Sequence, residues 1–166
     1  MRTPHVSLAL AFGTVLIAGS ARAGLLDDPP PTIPGAPQAR VVYRMGAVIA
    51  DPGRADTVIH CHNNADVPAP IALEIYGEDD ARASVTVHDA VPPDGEAVFA
   101  TSAGAAGDGA VLIPQIAPLT QGKARVSAPT SHLSCGGEQV IRSVTPDGAM
   151  QVTPLPLVKK VATGDP

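Results

Sequence analysis

Proline is spread along the whole chain, 18 in 166 residues, and this spacing limits the fold more than any other feature. Each proline lacks an amide N–H, and its ring clashes with the preceding helical turn. Long helices are thereby excluded from the stretch between Pro68 and Pro156. Between the prolines lie short runs rich in Val, Ile and Thr that alternate in polarity, the pattern of half-buried strands.

The runs predict strands over Arg40–Ala50, Thr57–His62, Ile71–Gly77, Ala83–Val91, Glu96–Thr101, Ala110–Pro114, Lys123–Ala128, Leu133–Cys135 and Gln139–Thr145, with an extended piece over Met150–Val158. "PPDG" at Pro92–Gly95 and "TPDG" at Thr145–Gly148 are turn signals that join antiparallel neighbours, proline presetting φ and glycine accepting a positive φ. By parity Ile71, Leu73 and Ile75 share one face and Glu74 and Tyr76 the other, while Val85 and Val87 oppose Thr86 and His88. One buried and one wet face, with turns about every ten residues, predict an all-β domain of two antiparallel sheets with about eight or nine strands. A small barrel is the alternative.

The first 23 residues, "MRTPHVSLALAFGTVLIAGSARA", combine Arg2, an apolar run over Val6–Ala18 and small residues at Ala21 and Ala23. This is the pattern of a secretory signal peptide cleaved after Ala23. The apolar run is shorter than the roughly 20 residues that span a bilayer, so no membrane span is expected. Taking 23 residues from 166 leaves 143, enough for one domain. Residues 24–39, rich in proline and without apolar period, read as a linker, residues 40–158 as the domain, and residues 159–166 as a tail. The expected location is periplasmic or extracellular.

Loss of Arg2 and Arg22 takes the formal charge from −5 to −7. An acidic chain with scattered basic residues is a poor partner for nucleic acid. Tyr43, Tyr76 and Phe99 are the only aromatic residues after the leader, too few for base- or sugar-stacking platforms.

Cys61 shares a strand face with Thr57 and Ile59, and Cys135 falls late in the chain; both can point inward. In an oxidising compartment such a pair is expected to bridge, which would stabilise the fold by ~4 kcal/mol on the chain-entropy model. Two buried or metal-bound thiols are the alternative. The segments "TVIHCHNNADVPAPIALEIYGED", "EAVFATS" and "GKARVSAPTSHLSC" resemble small secreted bacterial domains of the immunoglobulin-like or fibronectin-like kind, over Arg40–Val158. That resemblance implies a β-sandwich with a Cys61–Cys135 bridge, and it carries over no catalytic residue.

Signatures of chemistry are few. The chain has no G-x-S-x-G, H-E-x-x-H, phosphate-binding glycine loop or C-x-x-C. Ser131, His132 and Ser134 are neighbours in sequence, but adjacent strand residues point to opposite faces. "GEDD" at Gly77–Asp80 lacks the alternating ligands of a calcium loop and reads as a solvated turn. "SAGAAGDGA" at Ser102–Ala110 offers only small side chains. The remaining candidate is "IHCH": if Cys61 faces inward, His60 and His62 share the outer face with Val58, about 7 Å apart at Cα, from which two imidazoles can converge on one ion. A Cu or Zn site would need a third ligand, with His132 or His88 available. The expected function is therefore a non-enzymatic structural or interaction module without a cofactor, contacting another periplasmic or surface protein. A Cu- or Zn-binding module on His60, His62 and His132 is the alternative.

Overall fold

A computed structural model describes residues 28–103, 105, 109–113, 118–142 and 150–160. The expected leader over residues 1–23, the Thr145–Gly148 turn, and residues 161–166 of the expected tail lie outside them.

The described residues form an all-β structure of ten strands: β1 (Arg40–Asp51), β2 (Ala55–Asn63), β3 (Ala69–Tyr76), β4 (Arg82–Val91), β5 (Glu96–Ala100), β6 (Val111–Leu112), β7 (Leu119–Ala128), β8 (Leu133–Arg142), β9 (Met150–Leu155) and β10 (Leu157–Lys159). They join in one mixed ladder of order β4-β3-β7-β1-β2-β5-β6, with β8 on the other edge of β2, β9 on β8, and β10 on β1. Every pairing is antiparallel except β5–β6.

β1 and β2 pair at only two rungs, Ala50↔Asp56 and Asp51↔Ala55, beside their hairpin. Beyond it they part, β1 taking β10 and β2 taking β5 along the edges left free, while β8 runs along the whole opposite edge of β2. Because β9 and β10 are separated only by Pro156, the chain passes from β8 to β1 and draws the ladder toward closure, a near-barrel. One apolar core joins both groups of strands: Met45, Ile71, Leu73, Ile75 and Val126 from one, Ile59, Cys61, Phe99 and Leu133 from the other.

Expected Leu133–Cys135 and the described part of expected Gln139–Thr145, residues 139–142, belong to one strand, β8. The intervening Gly136 and Gly137 stay in the ladder opposite His60 and Ile59. Gly137 meets a packing need: a Cβ there would lie 3.0 Å from Leu157 Cδ1 and 3.2 Å from Met45 Cε, where β10 and β1 cross over β8. The Pro92–Gly95 turn closes with Gly95 N–H donating to Pro92 O at 3.0 Å. Its positive φ falls on Asp94 (57°), which tolerates that region. Glycine is needed at 95 for room, since a Cβ there would lie 2.7 Å from Pro92 Cγ.

The expectation of one wet face fails on β3. Ile71, Leu73 and Ile75 do point into the core, but Ala72, Glu74 and Tyr76 on the opposite face are buried too. Their cover is the segment expected to be a free linker. Ile33 (2 % exposed) and Ala36 pack against Ala72, Ala39 and Val87, and Ile33 and Ala36 form a β-bridge. Five prolines up to Pro37 rule out a paired strand but not apolar contact. Strand β4 consequently reverses its apparent polarity: Thr86, opposite Leu73, is buried on the core side, and Val87, opposite Ala72, packs under the segment.

Candidate functional site

The expected site residues lie on the outer face of β5, β2 and β8. Parity holds: Cys61 is fully buried in the core, so His60 and His62 point outward. His60 sits opposite Val98 on β5 and Gly136 on β8; His62 sits opposite Glu96 and Ser134. The His60 ring is held between two carboxylates, Nδ1 at 3.2 Å from Glu96 Oε1 and Nε2 at 3.8 Å from Glu138 Oε1. Carboxylates on the two different ring nitrogens clamp an imidazole between strands and do not converge on one point. His62 Nδ1 instead lies 2.9 Å from Asn64 Oδ1, and Asn64 Nδ2 donates to Ser134 Oγ. His132 is exposed; its carbonyl accepts from Asn64 N–H, which brings its backbone to the end of β2. His88, expected on an outer face, lies opposite Ile71 on the parity of Thr86. Among the described residues no group of three or more His, Cys, Asp or Glu side chains is placed to hold a metal ion.

Cys61 and Cys135 form a disulfide between directly opposed residues of neighbouring strands, with Cα atoms 4.2 Å apart. An immunoglobulin bridge crosses between two sheets. This one lies within the ladder, at a pair of the narrow, non-hydrogen-bonded kind.

Sequence reasoning missed the densest polar cluster, on the outer face of β3 and β7. Glu74 and Arg125, opposite each other in the register, are both fully buried. Arg125 donates from Nε to Glu74 Oε2 (2.5 Å) and from Nη2 to Oε1 (2.9 Å), a two-point fork. Arg82 Nη1 and the Tyr76 hydroxyl donate to the same Oε1 at 3.1 and 3.2 Å. The guanidinium of Arg125 lies over the Tyr76 ring and reaches the covering segment, donating to the carbonyls of Asp28 and Pro29, each at 2.7 Å. Burial, with Glu74 beside it, pushes the Tyr76 phenol well above its ordinary range; the hydrogen bond to Glu74 raises Arg82. The Ser127 hydroxyl donates to Oε2 at 3.5 Å as well, and with five donor atoms on it Glu74 has little capacity left as a base or a ligand. The signal was present as a charged residue amid the apolar run "IALEIY", but sequence could not say that Arg125 would be its neighbour.

At the far end of the β2 face the polar residues give way to an apolar strip. Val58, Ala100 and Val140 are buried together, with Val98 and Ala105 packed against them. The strip continues through Val140↔Val152 to β9, where Val152 is 53 % and Met150 63 % exposed. Asp56 and Arg142 border it as an ion pair at 2.7 Å. No protein-family model, curated protein or solved structure matches this chain.

Proposed function

We propose that this chain is an exported, non-enzymatic interaction module, an immunoglobulin-like fold whose two strand groups serve as facing sheets and whose working surface is the open apolar strip ending at β9. The observation that carries this reading is that strip: it runs from buried Val58 and Val140 to exposed Val152 and Met150 at a sheet edge. An apolar surface that continues a buried cluster outward is where a partner gains most from contact. Support also comes from the polar clusters. Glu74, Arg125 and His60 are all engaged by the chain's own groups, which suits stitching of strands better than chemistry on a substrate.

Export is supported by the leader pattern and by the Cys61–Cys135 bridge, which persists in oxidising compartments. No helix among the described residues is long and apolar enough to cross a membrane.

A photo-crosslinking residue placed at Val152, and separately at Asp79 in the β3–β4 turn, tests the reading in the native cell envelope. A discrete protein adduct is expected from position 152 and none from 79. Equal yields from both, or none from 152, would remove the interaction surface. Zn²⁺ and Cu²⁺ titrations of the same protein are expected to show no site that depends on His60 and His62; micromolar binding lost in the double alanine variant would favour the metal module instead.

A further inference from the structure

We propose that the partner of β9 is a second copy of this chain, bound edge to edge as an antiparallel β9–β9 pair about a two-fold axis at Val152. The inference rests on the reading of β9 as the working surface and names its occupant.

The register fixes which backbone groups β9 offers. The narrow Cys61–Cys135 pair turns the N–H and C=O of Cys135 away from β2. Arg142 N–H, an odd number of residues further on, donates back to Arg54 O at the start of β2. Even-numbered residues of β8 therefore bond toward β2 and odd-numbered ones toward β9. Gly137↔Leu155, Gln139↔Thr153 and Ile141↔Gln151 are then the bonded rungs of β8–β9, and Met150, Val152 and Pro154 turn their backbone groups outward. Pro154 occupies an outward position, where its missing N–H breaks no bond to β8.

Among the described residues β9 pairs with β8 alone, and its other edge is unprotected by charge. Free edges are ordinarily blunted by charged side chains. β4 carries Arg82, His88 and Asp89, and β10 carries Lys159; β9, "MQVTPL", carries no charge. A two-fold pair centred on Val152 would form reciprocal Val152 N–H to C=O bonds, with each Met150 N–H donating to Pro154 C=O of the other copy. Val152 and Met150 would extend the Val58–Val140 cluster across the axis. Charges one strand in match as well: Arg142 lies in the row of Met150 and Glu138 in the row of Pro154. An antiparallel copy therefore sets the basic end of one β8 toward the acidic end of the other, three strand spacings or about 14 Å apart, a long-range match that favours this orientation while Arg142 keeps its pair with Asp56.

The contact is short beside standard interfaces of about 1,200–2,000 Å², so the association is weak and concentration-dependent. Sedimentation velocity on the exported, disulfide-bonded protein, from micromolar to millimolar concentration, is expected to show a reversible monomer–dimer equilibrium. Val152→Lys should hold the protein monomeric throughout, while Val158→Lys, at another exposed position on β10, should leave the equilibrium unchanged. Exchange of the Val152 amide hydrogen should slow as concentration rises. A protein monomeric at all concentrations, a dimer indifferent to Val152→Lys, or a Val152 amide indifferent to concentration would each overturn the proposal. Monomer together with a position-152 adduct to a different envelope protein would leave the interaction reading intact and remove only the second copy; monomer with no adduct would remove both.

Discussion

The outer face over β3 and β7 and the outer face over β2 and β8 both carry ionisable groups between apolar neighbours, yet they handle them in opposite ways. On the first, Glu74 and Arg125 are sealed beneath residues 28–39 and every carboxylate oxygen has a donor. On the second, His60, Glu96 and Glu138 stay partly exposed at 3.2 and 3.8 Å. A buried ion pair is costly to break because the surviving charge has no water to return to, whereas an exposed pair is replaced by solvent. The covered face should therefore govern stability, and the open face should be free to serve contacts.

Four substitutions test that division, in falling order of effect. Glu74→Ala leaves the Arg125 guanidinium buried without its carboxylate and should destabilise the fold by about 3–5 kcal/mol in urea unfolding; a loss below about 1 kcal/mol would mean that water reaches the cluster. Ile33→Ala uncovers part of the same face and should cost about 2 kcal/mol, with faster proteolysis of the N-terminal segment; an unchanged midpoint would return residues 28–39 to the status of a tether. Tyr76→Phe removes one donor to Glu74 and should cost about 1 kcal/mol. It should also alter the alkaline limb. The folded phenol titrates above its ordinary 10.0, so above that pH the unfolded chain loses a proton that the folded one keeps. The Tyr76 contribution to stability should then be level below about pH 10 and fall as pH rises further, a slope that the phenylalanine variant flattens. His60→Ala on the open face should change stability by less than about 0.5 kcal/mol; a cost above 2 kcal/mol would erase the contrast between the faces.

Strand positions were legible because alternation and proline are local signals. Arg40, Val91, Glu96 and Ala128 all end or begin strands where the pattern puts them. The inward Cys61 and outward His60 and His62 followed from parity alone. What sequence could not give was adjacency. Whether Glu74 faces water or Arg125 depends on β3 lying beside β7, a pairing between segments about 50 residues apart. The covering segment was misread for a related reason: proline abundance shows that a stretch cannot join a ladder, but says nothing about whether Ile33 finds an apolar surface. Asn63 shows the same limit. It is a polar residue at the end of β2, fully buried, whose amide donates to the carbonyls of Val67, Val91 and Pro92 and thereby holds two turns together.

The Cys61–Cys135 pair has one further consequence, for the pairing of β2 with β8. Their nine rungs, Ala55↔Ile141 to Asn63↔Leu133, run without a bulge. Side chains alternate with a period of two, so a slip by one residue would swing Cys135 to the histidine face and set Cys61 opposite Ser134 or Gly136. A slip by two would restore the face but leave the thiols a diagonal apart. Only the native alignment lets the two sulfurs join, and once joined they forbid any other. The bridge thus works as a checksum on the ladder: a molecule that oxidises internally has counted its residues correctly, and one that keeps free thiols has not.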